Sequence, residues 1–302
     1  ALIPVIFYRL ISTLPFPILY ACAWLAYLFF YHVVRYRRGV VRDNLSRAFP
    51  EKSEVEIRSL GKAFYYRLAQ VAFEIIKARR MSKADFLKRA RVVNPELLRQ
   101  YSNDFRNSVI VLTIHQGNWE WMLHGATAQF DIPIDTVYKP QHNKTVDALI
   151  YEIRSRFGSR PLAKQGSARD ILRRRREFRV FVMVAEQSPT RSERGLWTEF
   201  MNQEAAFYLG TEIIAKATKL PVIFAQCHRR KTGYYEIEFH ELAKPPYEKD
   251  GHEITERYVQ LAEQAIRADP ESWLWGNRRW KRDRAAEEAG TAADVGDDPQ
   301  GA

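Results

Sequence analysis

The feature of this sequence that most restricts its fold is an alternation of short apolar runs with helical patterns, which begins at residue 108. Strands that alternate with helices form a layered α/β architecture. We therefore predict one α/β domain over 35–284, with a central β-sheet flanked by helices. Strands are predicted at 108–114, 134–138, 180–185, 222–226 and 234–239, and helices at 119–129, 145–157, 168–177, 206–218 and 252–267.

An apolar segment near the N-terminus, 10–34, contains no Asp, Glu, Lys or Arg. A membrane span needs about 20 mostly apolar residues, so this segment is long enough to cross a bilayer. Pro15 and Pro17 interrupt its first part, so a bent or re-entrant insertion and a buried core helix are the alternatives. Four arginines follow within 35–42, and basic flanks of this kind stay on the cytoplasmic side. We predict that 1–34 is a membrane anchor and that the remainder faces the cytoplasm at the inner leaflet of the inner membrane.

Two further segments border the α/β pattern. A long amphipathic helix is predicted at 53–80, where Ser53 and Glu56 have the spacing of a capping box. From 285 to 302 the chain is rich in Ala, Gly, Asp and Glu and lacks apolar periodicity, which predicts a disordered tail.

The net charge of +11, from 47 Lys and Arg against 36 Asp and Glu, favours an anionic partner such as nucleic acid, an anionic membrane or an acidic protein. The sequence has no ribonucleoprotein motif, zinc ligand set or helix-turn-helix signal, so we predict no nucleic-acid partner. Its two cysteines, Cys22 and Cys227, exclude a disulfide framework and fit a reducing compartment. No nucleotide-binding loop or metal-ligand spacing occurs, so no cofactor and no metal are predicted.

The residues that indicate chemistry follow the first predicted strand, which ends directly at His115. Ligands of open α/β sheets bind outside the carboxyl ends of the strands, so His115 stands where a reactive group would be placed. Gly117 allows a tight turn, and Glu120 then reaches back to accept a hydrogen bond from one imidazole nitrogen. The other nitrogen is left as a base for an alcohol. The alternative is that His115 is a structural residue at the end of a strand.

Three stretches outside this H-x4-E spacing add to it. They are Arg37-Arg38 with Asn44-Leu45 and Ala48-Phe49-Pro50, Tyr138-Lys139-Pro140 with Asn143, Asp147, Arg154 and Arg156, and Trp275 with Arg278-Arg279-Trp280-Lys281. Together they resemble the lipid A biosynthesis (late, or secondary) lauroyl/myristoyl acyltransferases, within the larger group of glycerolipid-type acyltransferases that share an H-x4-D/E motif. The sequence departs from that family at Glu186-Gln187, where Asp-Gln is usual, at Phe200-Met201-Asn202 in place of F-F-G, and at Asn277 in place of histidine.

The resemblance implies a mixed central sheet and an O-acyltransferase that moves a fatty acyl group from a thioester donor to a hydroxyl of a lipid acceptor, most simply a lipid A precursor. The departures leave another glycolipid, an aminolipid or a lysophospholipid open as acceptor. The substrate-binding residues would be Asn118, Arg154, Arg156, Glu186 and Gln187. Thioester hydrolysis by water would use the same base, but the sequence has no G-x-S-x-G elbow.

The resemblance also implies acyl carrier protein as the usual donor, with acyl-coenzyme A as the alternative. An acidic carrier would be attracted by a basic patch at the mouth of the cleft. We predict that Arg173–Arg176 and Arg179 form this patch. Contact with anionic lipid, or a merely solvated helix face, are the other interpretations of these arginines.

Overall fold

The computed structural model describes residues 2–190, 193, 195–285 and 287. The helices are α1 (Leu2–Thr13), α2 (Phe16–Leu28), α3 (Arg38–Ala48), α4 (Glu54–Ala78), α5 (Lys83–Arg89), α6 (Pro95–Tyr101), α7 (Trp119–Phe130), α8 (Lys144–Ser155), α9 (Lys164–Arg173), α10 (Gly210–Thr218) and α11 (Glu253–Ala268). The strands are β1 (Ala90–Val92), β2 (Val109–Thr113), β3 (Ile134–Tyr138), β4 (Arg160–Ala163), β5 (Val180–Val184), β6 (Gly195–Phe200), β7 (Gln203–Tyr208), β8 (Val222–Lys231) and β9 (Tyr234–Ala243).

The central sheet has seven strands in the order β1-β9-β8-β2-β5-β3-β4. The β8–β9 pair is antiparallel and the other neighbouring pairs are parallel, so the sheet is mixed. Strands β6 and β7 form a separate antiparallel hairpin. The predicted α/β architecture with a mixed central sheet is therefore confirmed.

Helices cover both faces of this sheet, because successive side chains of a strand point to opposite faces. Ile110 and Leu112 of β2 belong to a core cluster shared with α11, which contributes Tyr258. Val109 and Val111 of the same strand belong to a second cluster, shared with α7. The five residues of β2 are accordingly all buried, as expected for a strand in the middle of a sheet that is covered on both sides.

One predicted helix is partly wrong. The pattern at 206–218 was interpreted as a single helix, but 206–208 end strand β7, and α10 begins only at Gly210. The error has a physical cause, since β7 pairs with β6 over six residues, and this cross-strand pairing outweighs the helical preference of the segment. The predicted helix at 53–80 is confirmed by α4, whose capping box joins Ser53 and Glu56.

The N-terminal apolar segment forms two helices that break at Pro15, as the prolines indicated. The second continues through a π-helical turn (Phe29–Val34), and together they make a 19-residue helix, Phe16–Val34, with mean hydropathy 1.6. Only 17% of its apolar window is buried, and its length and composition suit a membrane span. The predicted tail at 285–302 lies outside the described residues, apart from Ala285 and Glu287.

Candidate active site

The candidate site is built on the turn that joins β2 to α7. Gly117 has φ +61° in this turn, a conformation that residues with a Cβ adopt only rarely. A Cβ there would also lie 2.9 Å from the carbonyl oxygen and the sulfur of Cys227. The turn therefore packs closely against β8. This contact fixes the turn that follows His115, which itself lies just beyond the carboxyl end of β2.

The turn is also fastened to the segment that follows α11. The backbone N–H of Leu274 donates to the carbonyl of His115 at 3.0 Å, and that of Gly117 donates to the carbonyl of Ser272 at 3.0 Å. The side-chain amide of Gln116 donates to the carbonyls of Ala265 and Asp269. These bonds hold the backbone of His115 in one position on both sides.

A buried carboxylate lies beneath the same turn. Asn118 caps α7 by accepting from the N–H of Trp121 at 2.9 Å, and its amide donates to Glu74 at 2.9 Å. Glu74 accepts two further hydrogen bonds, from the hydroxyl of Tyr235 at 2.6 Å and from that of Tyr20 at 2.8 Å. Burial raises the pKa of Glu74 although these hydrogen bonds act against the rise. Glu74 thus connects the apolar helix α2, through Tyr20, to the turn that carries His115.

The imidazole of His115 is paired with Glu186. Its Nδ1 lies 2.5 Å from Oε1 of Glu186, and the backbone N–H of His115 lies 3.3 Å from the same oxygen. Burial acts to lower the pKa of His115, but the charge and hydrogen bond of Glu186 outweigh it, so the pKa is raised. The ring keeps 20% of its side-chain exposure, whereas Glu186 keeps 2%. Within the described residues Nε2 has no hydrogen-bond partner, so it is the nitrogen open to a substrate.

Glu120 has a different partner from the one that the H-x4-E spacing predicted. Its carboxylate receives a forked pair of hydrogen bonds from Arg154, with Nε 2.9 Å from Oε2 and Nη2 2.5 Å from Oε1. Burial would raise the pKa of Glu120, but the charge of Arg154 lowers it, so the carboxylate is ionised. The hydrogen bond predicted between His115 and Glu120 is therefore replaced by two neighbouring pairs, His115 with Glu186 and Glu120 with Arg154.

A third charged group, Arg279, lies behind Glu186. Arg279 is 3% exposed and packs over the ring of Phe207 at 4.2 Å, and one of its N–H groups donates to the carbonyl of Ala206 at 2.9 Å. Burial lowers the pKa of Arg279 to about 10, with the negative charge of Glu186 acting against the drop, so the guanidinium is charged at neutral pH. The carboxylate of Glu186 thus interacts with the imidazole through a hydrogen bond and with the buried guanidinium of Arg279 through its charge.

A cavity of about 740 Å³ opens beside the imidazole. Its inner part runs between the sheet and helices α6 and α7, and the side chains there are almost all apolar. Charged and polar side chains lie nearer the opening and include His115, Glu120, Arg154 and Gln187. This volume is typical of cavities that enclose a small-molecule ligand, about 300–1,000 Å³. The apolar residues of the inner part include Leu98, Val111, Met122, Leu123, Ala126, Phe130, Val180, Ile237 and Phe239.

Three of the predicted substrate-binding residues, Asn118, Arg156 and Glu186, are not among the residues that line this cavity. Asn118 is fully buried as the cap of α7. Arg156 donates to the backbone carbonyl of Ala78 at the end of α4 and lies over the ring of Phe157. The side chains of Asn118 and Arg156 support the surrounding structure, whereas Arg154 and Gln187 line the cavity.

The predicted basic patch lies at the wrong end of the sheet. Arg179 directly precedes β5, and β5 runs parallel to β2, so the arginines lie at the amino ends of the strands. His115 follows the carboxyl ends, and a five-residue strand at about 3.3 Å per residue separates the two edges by roughly 16 Å. Arg174 and Arg179 are also committed to the buried carboxylate of Asp135. The prediction that this cluster lines the mouth of the cleft is therefore wrong.

Two residues that support the site were missed from the sequence. Glu74 lies in the predicted helix 53–80 and is an ionisable residue on a helix face whose other buried residues are mostly apolar, which is the signal that points to it. Arg279 was noticed only through the resemblance, and no local pattern indicates that it lies behind Glu186. Glu186 is predicted from the sequence to bind substrate, whereas in the structure its carboxyl group contacts the imidazole of His115.

This arrangement suits general-base chemistry on a hydroxyl next to an apolar chain. A carboxylate fixes one nitrogen of the imidazole and stabilises the positive charge that follows proton uptake, and the other nitrogen faces the cavity. The inner cavity offers apolar surface, and the opening offers cations.

Comparison with known proteins gives an independent result. Residues 1–282 match the family described as bacterial lipid A biosynthesis acyltransferase. The chain is also similar to a lipid A biosynthesis acyltransferase from Haemophilus influenzae, at 24% identity over 246 residues, which cover 81% of this chain and 76% of the relative.

Proposed function

The chain belongs to the family of bacterial lipid A biosynthesis acyltransferases, and from this premise we propose that it moves a fatty acyl group from a thioester donor to a hydroxyl of a lipid A precursor, with His115 as the general base. The observation that carries the proposal is the pairing of His115 with Glu186 at the opening of an apolar cavity.

In the proposed reaction, Nε2 of His115 removes the proton of the acceptor hydroxyl as its oxygen attacks the thioester carbonyl. A carbon–oxygen bond forms, the carbon–sulfur bond breaks, and the imidazolium returns the proton to the leaving thiolate. The products are an ester and a thiol. Glu186 stabilises the imidazolium between these two steps, which is the part that the sequence analysis had given to Glu120.

The acyl chain has an evident place in this scheme. The part of the cavity that lies between α7 and the sheet is lined by Met122, Leu123, Ala126 and Phe130. Burying a methylene group there is favourable by about 0.8 kcal/mol, so a long acyl chain is drawn inward while its carbonyl stays beside His115. Arg154 is held by Glu120 at the opening, where an anionic group of the acceptor would pass.

The direct test uses the full chain purified in detergent, with an acyl thioester and a lipid A precursor as substrates. His115→Ala should lower acyl transfer by about 10²–10⁴-fold, the usual effect of removing a general base. Mass spectrometry of total lipids from cells with and without the protein should show the loss of one acyl chain from lipid A. Near-normal transfer by a folded His115→Ala variant, or a chain lost from another lipid class, would contradict the mechanism or the acceptor respectively.

We propose further that the donor is the thioester of acyl carrier protein. Three lysines, Lys139, Lys164 and Lys281, line the outer part of the cavity and offer positive charge to an acidic carrier. We assign to these lysines the attraction of the carrier that the sequence predicts for Arg173–Arg176 and Arg179. Acyl-coenzyme A is also a thioester, but only the other donor carries its thioester on an acidic protein, so this protein distinguishes the two donors.

Charge reversal separates the two donors. The Lys139→Glu/Lys281→Glu variant should have a higher KM for acyl carrier protein thioester and an unchanged kcat. Its KM should also depend less on salt concentration than the KM of the wild type does. The Arg175→Glu/Arg176→Glu variant, which changes the amino edge of the sheet, is the matched control and should behave as wild type. An equal effect of both variants, or equal use of acyl-coenzyme A, would overturn the assignment of the donor.

We also propose that the helix Phe16–Val34 inserts in the inner membrane with the α/β domain in the cytoplasm. Large apolar side chains on this helix are exposed, with Leu25 at 59% and Val33 at 68%, and arginines follow it directly. Tyr20 on the helix contacts Glu74 below the turn of His115, so an inserted helix would hold the site close to the bilayer. Resistance to alkaline extraction, with protease sensitivity only from the cytoplasmic side, is the expected result. Release by alkali would contradict it.

A further inference from the structure

A group of polar side chains lies on the hairpin formed by β8 and β9, on the face opposite to the acyl cavity. Ala225 and Ile237 point into that cavity. Because strand residues alternate, Gln226 and His228 of β8, with Glu238 and His240 of β9, point to the other face. The register places Gln226 directly across from Glu238, and the two histidines lie diagonally on either side of this pair.

The donor atoms of this group converge. Nε2 of His228 lies 3.0 Å from Oε2 of Glu238, and Nε2 of His240 lies 4.0 Å from the same oxygen. The nitrogens of both histidines and the carboxylate oxygen all lie within 4.8 Å of one another. A zinc ion with bonds of about 2.1 Å in tetrahedral geometry needs donors about 3.4 Å apart. Small side-chain rotations therefore suffice to bring all three atoms to the distance that zinc requires.

The backbone of the site is rigid and its side chains remain accessible. Both strands belong to the central sheet, and ten-residue strands pair along most of their length. The side chains of His228, Glu238 and His240 retain 28%, 42% and 30% of their exposure, so an ion can reach them from solvent. Oε1 of Gln226 lies 3.1 Å from Nε2 of His240 and accepts a hydrogen bond from it, so Nε2 exchanges this hydrogen bond for the bond to the ion when an ion binds.

We propose that His228, Glu238 and His240 bind one divalent transition-metal ion, with Zn²⁺ as the ion best suited to two imidazoles and one carboxylate. A solvent molecule completes the coordination. The ion joins β8 to β9 and is remote from the proton transfer at His115, which takes place on the other face of the sheet. The sequence analysis predicted no metal because no ligand spacing occurs along the chain. The ligands come from two strands, and only their pairing brings them together.

The test uses the full chain purified in detergent without a polyhistidine tag, stripped with chelator and then given ZnCl₂. After gel filtration, elemental analysis should find about one zinc per chain. Excess Zn²⁺ at about 100-fold over its Kd should raise the Tm by about 5 °C, and Mg²⁺, which prefers oxygen ligands, should not.

His228→Ala and His240→Ala should each weaken zinc binding by more than about 100-fold, since losing even an outer-shell partner of a metal site costs about 10–100-fold. His142→Ala, which removes an exposed histidine from a loop before α8, is the matched control and should retain the zinc. Glu238→Gln keeps the shape of the side chain and should weaken binding through charge alone. The proposal would be overturned if the wild-type chain failed to retain zinc, or if His228→Ala and His240→Ala retained as much zinc as the wild type. The group would then be only an ion pair between His228 and Glu238.

Discussion

Glu186→Gln gives the sharpest test of how the site works. Glutamine has the shape of glutamate, so the variant keeps the packing around His115 and removes only the charge. The hydrogen bond that it weakens is short, 2.5 Å, and joins a buried carboxyl group to the imidazole that takes up a proton in the proposed reaction. A hydrogen bond to a charged group contributes about 1.5–3 kcal/mol, which corresponds to a fall in kcat of about 10- to 150-fold.

The pH dependence of the reaction gives a second readout with a definite sign. Glu186 raises the pKa of His115 against the effect of burial, so removing its charge lowers that pKa. The base must be neutral to accept a proton, and kcat/KM therefore rises with pH through the pKa of His115 in the free enzyme. In Glu186→Gln the midpoint of this rise should move to lower pH, while the plateau falls.

The assay is acyl transfer measured over a pH series at saturating and at low acceptor concentration. Glu152→Gln, which removes a half-exposed carboxylate paired with Arg79 at the surface, is the matched control and should keep both the plateau and the midpoint. A lower plateau with an unmoved midpoint would make Glu186 a structural residue. An upward shift of the midpoint would refute the pairing itself.

Three further predictions concern stability, each measured by unfolding in detergent. Glu120→Gln leaves Arg154 buried without its carboxylate and should destabilise the protein by about 3–5 kcal/mol, whereas changing both residues to Met should recover most of that loss; an undiminished loss in the double variant would refute this account. Tyr20→Phe removes one of the donors to Glu74 and should cost about 1–3 kcal/mol, and an unchanged Tm would show that the helix does not depend on this bond. Gly125→Ala places a Cβ 1.9 Å from a backbone carbonyl oxygen of β1 and should cost about 1–3 kcal/mol, so an unaffected variant would contradict the close packing of α7 on that strand.

Much of the fold could be predicted because periodicity reports burial directly. Strands β2 and β5 are short and almost entirely apolar, and β3 is short and mostly buried. The sequence predicts the bounds of all three to within a residue or two. The hairpin of β6 and β7 could not be found in this way. Its residues are half-buried, and the pairing that stabilises it joins two segments that each carry a weak pattern on their own.

The sequence singles out His115, Glu120, Arg154 and Glu186 but does not predict how they pair, and the reason is the register of the sheet. Spacing along the chain places Glu120 close to His115, and this local argument gave Glu120 the hydrogen bond. Strands β2 and β5 are parallel neighbours, with Thr113 opposite Val184. His115 and Glu186 each follow two residues after this pair, so both side chains emerge at the same point of the same edge, although 71 residues separate them in sequence. A carboxylate placed by a neighbouring strand reaches Nδ1 across the sheet and leaves Glu120, on the first turn of α7, free to hold Arg154. In this chain the H-x4-E spacing therefore locates the proposed base and a second charged pair beside it, whereas the partner of His115 comes from the end of the adjacent strand.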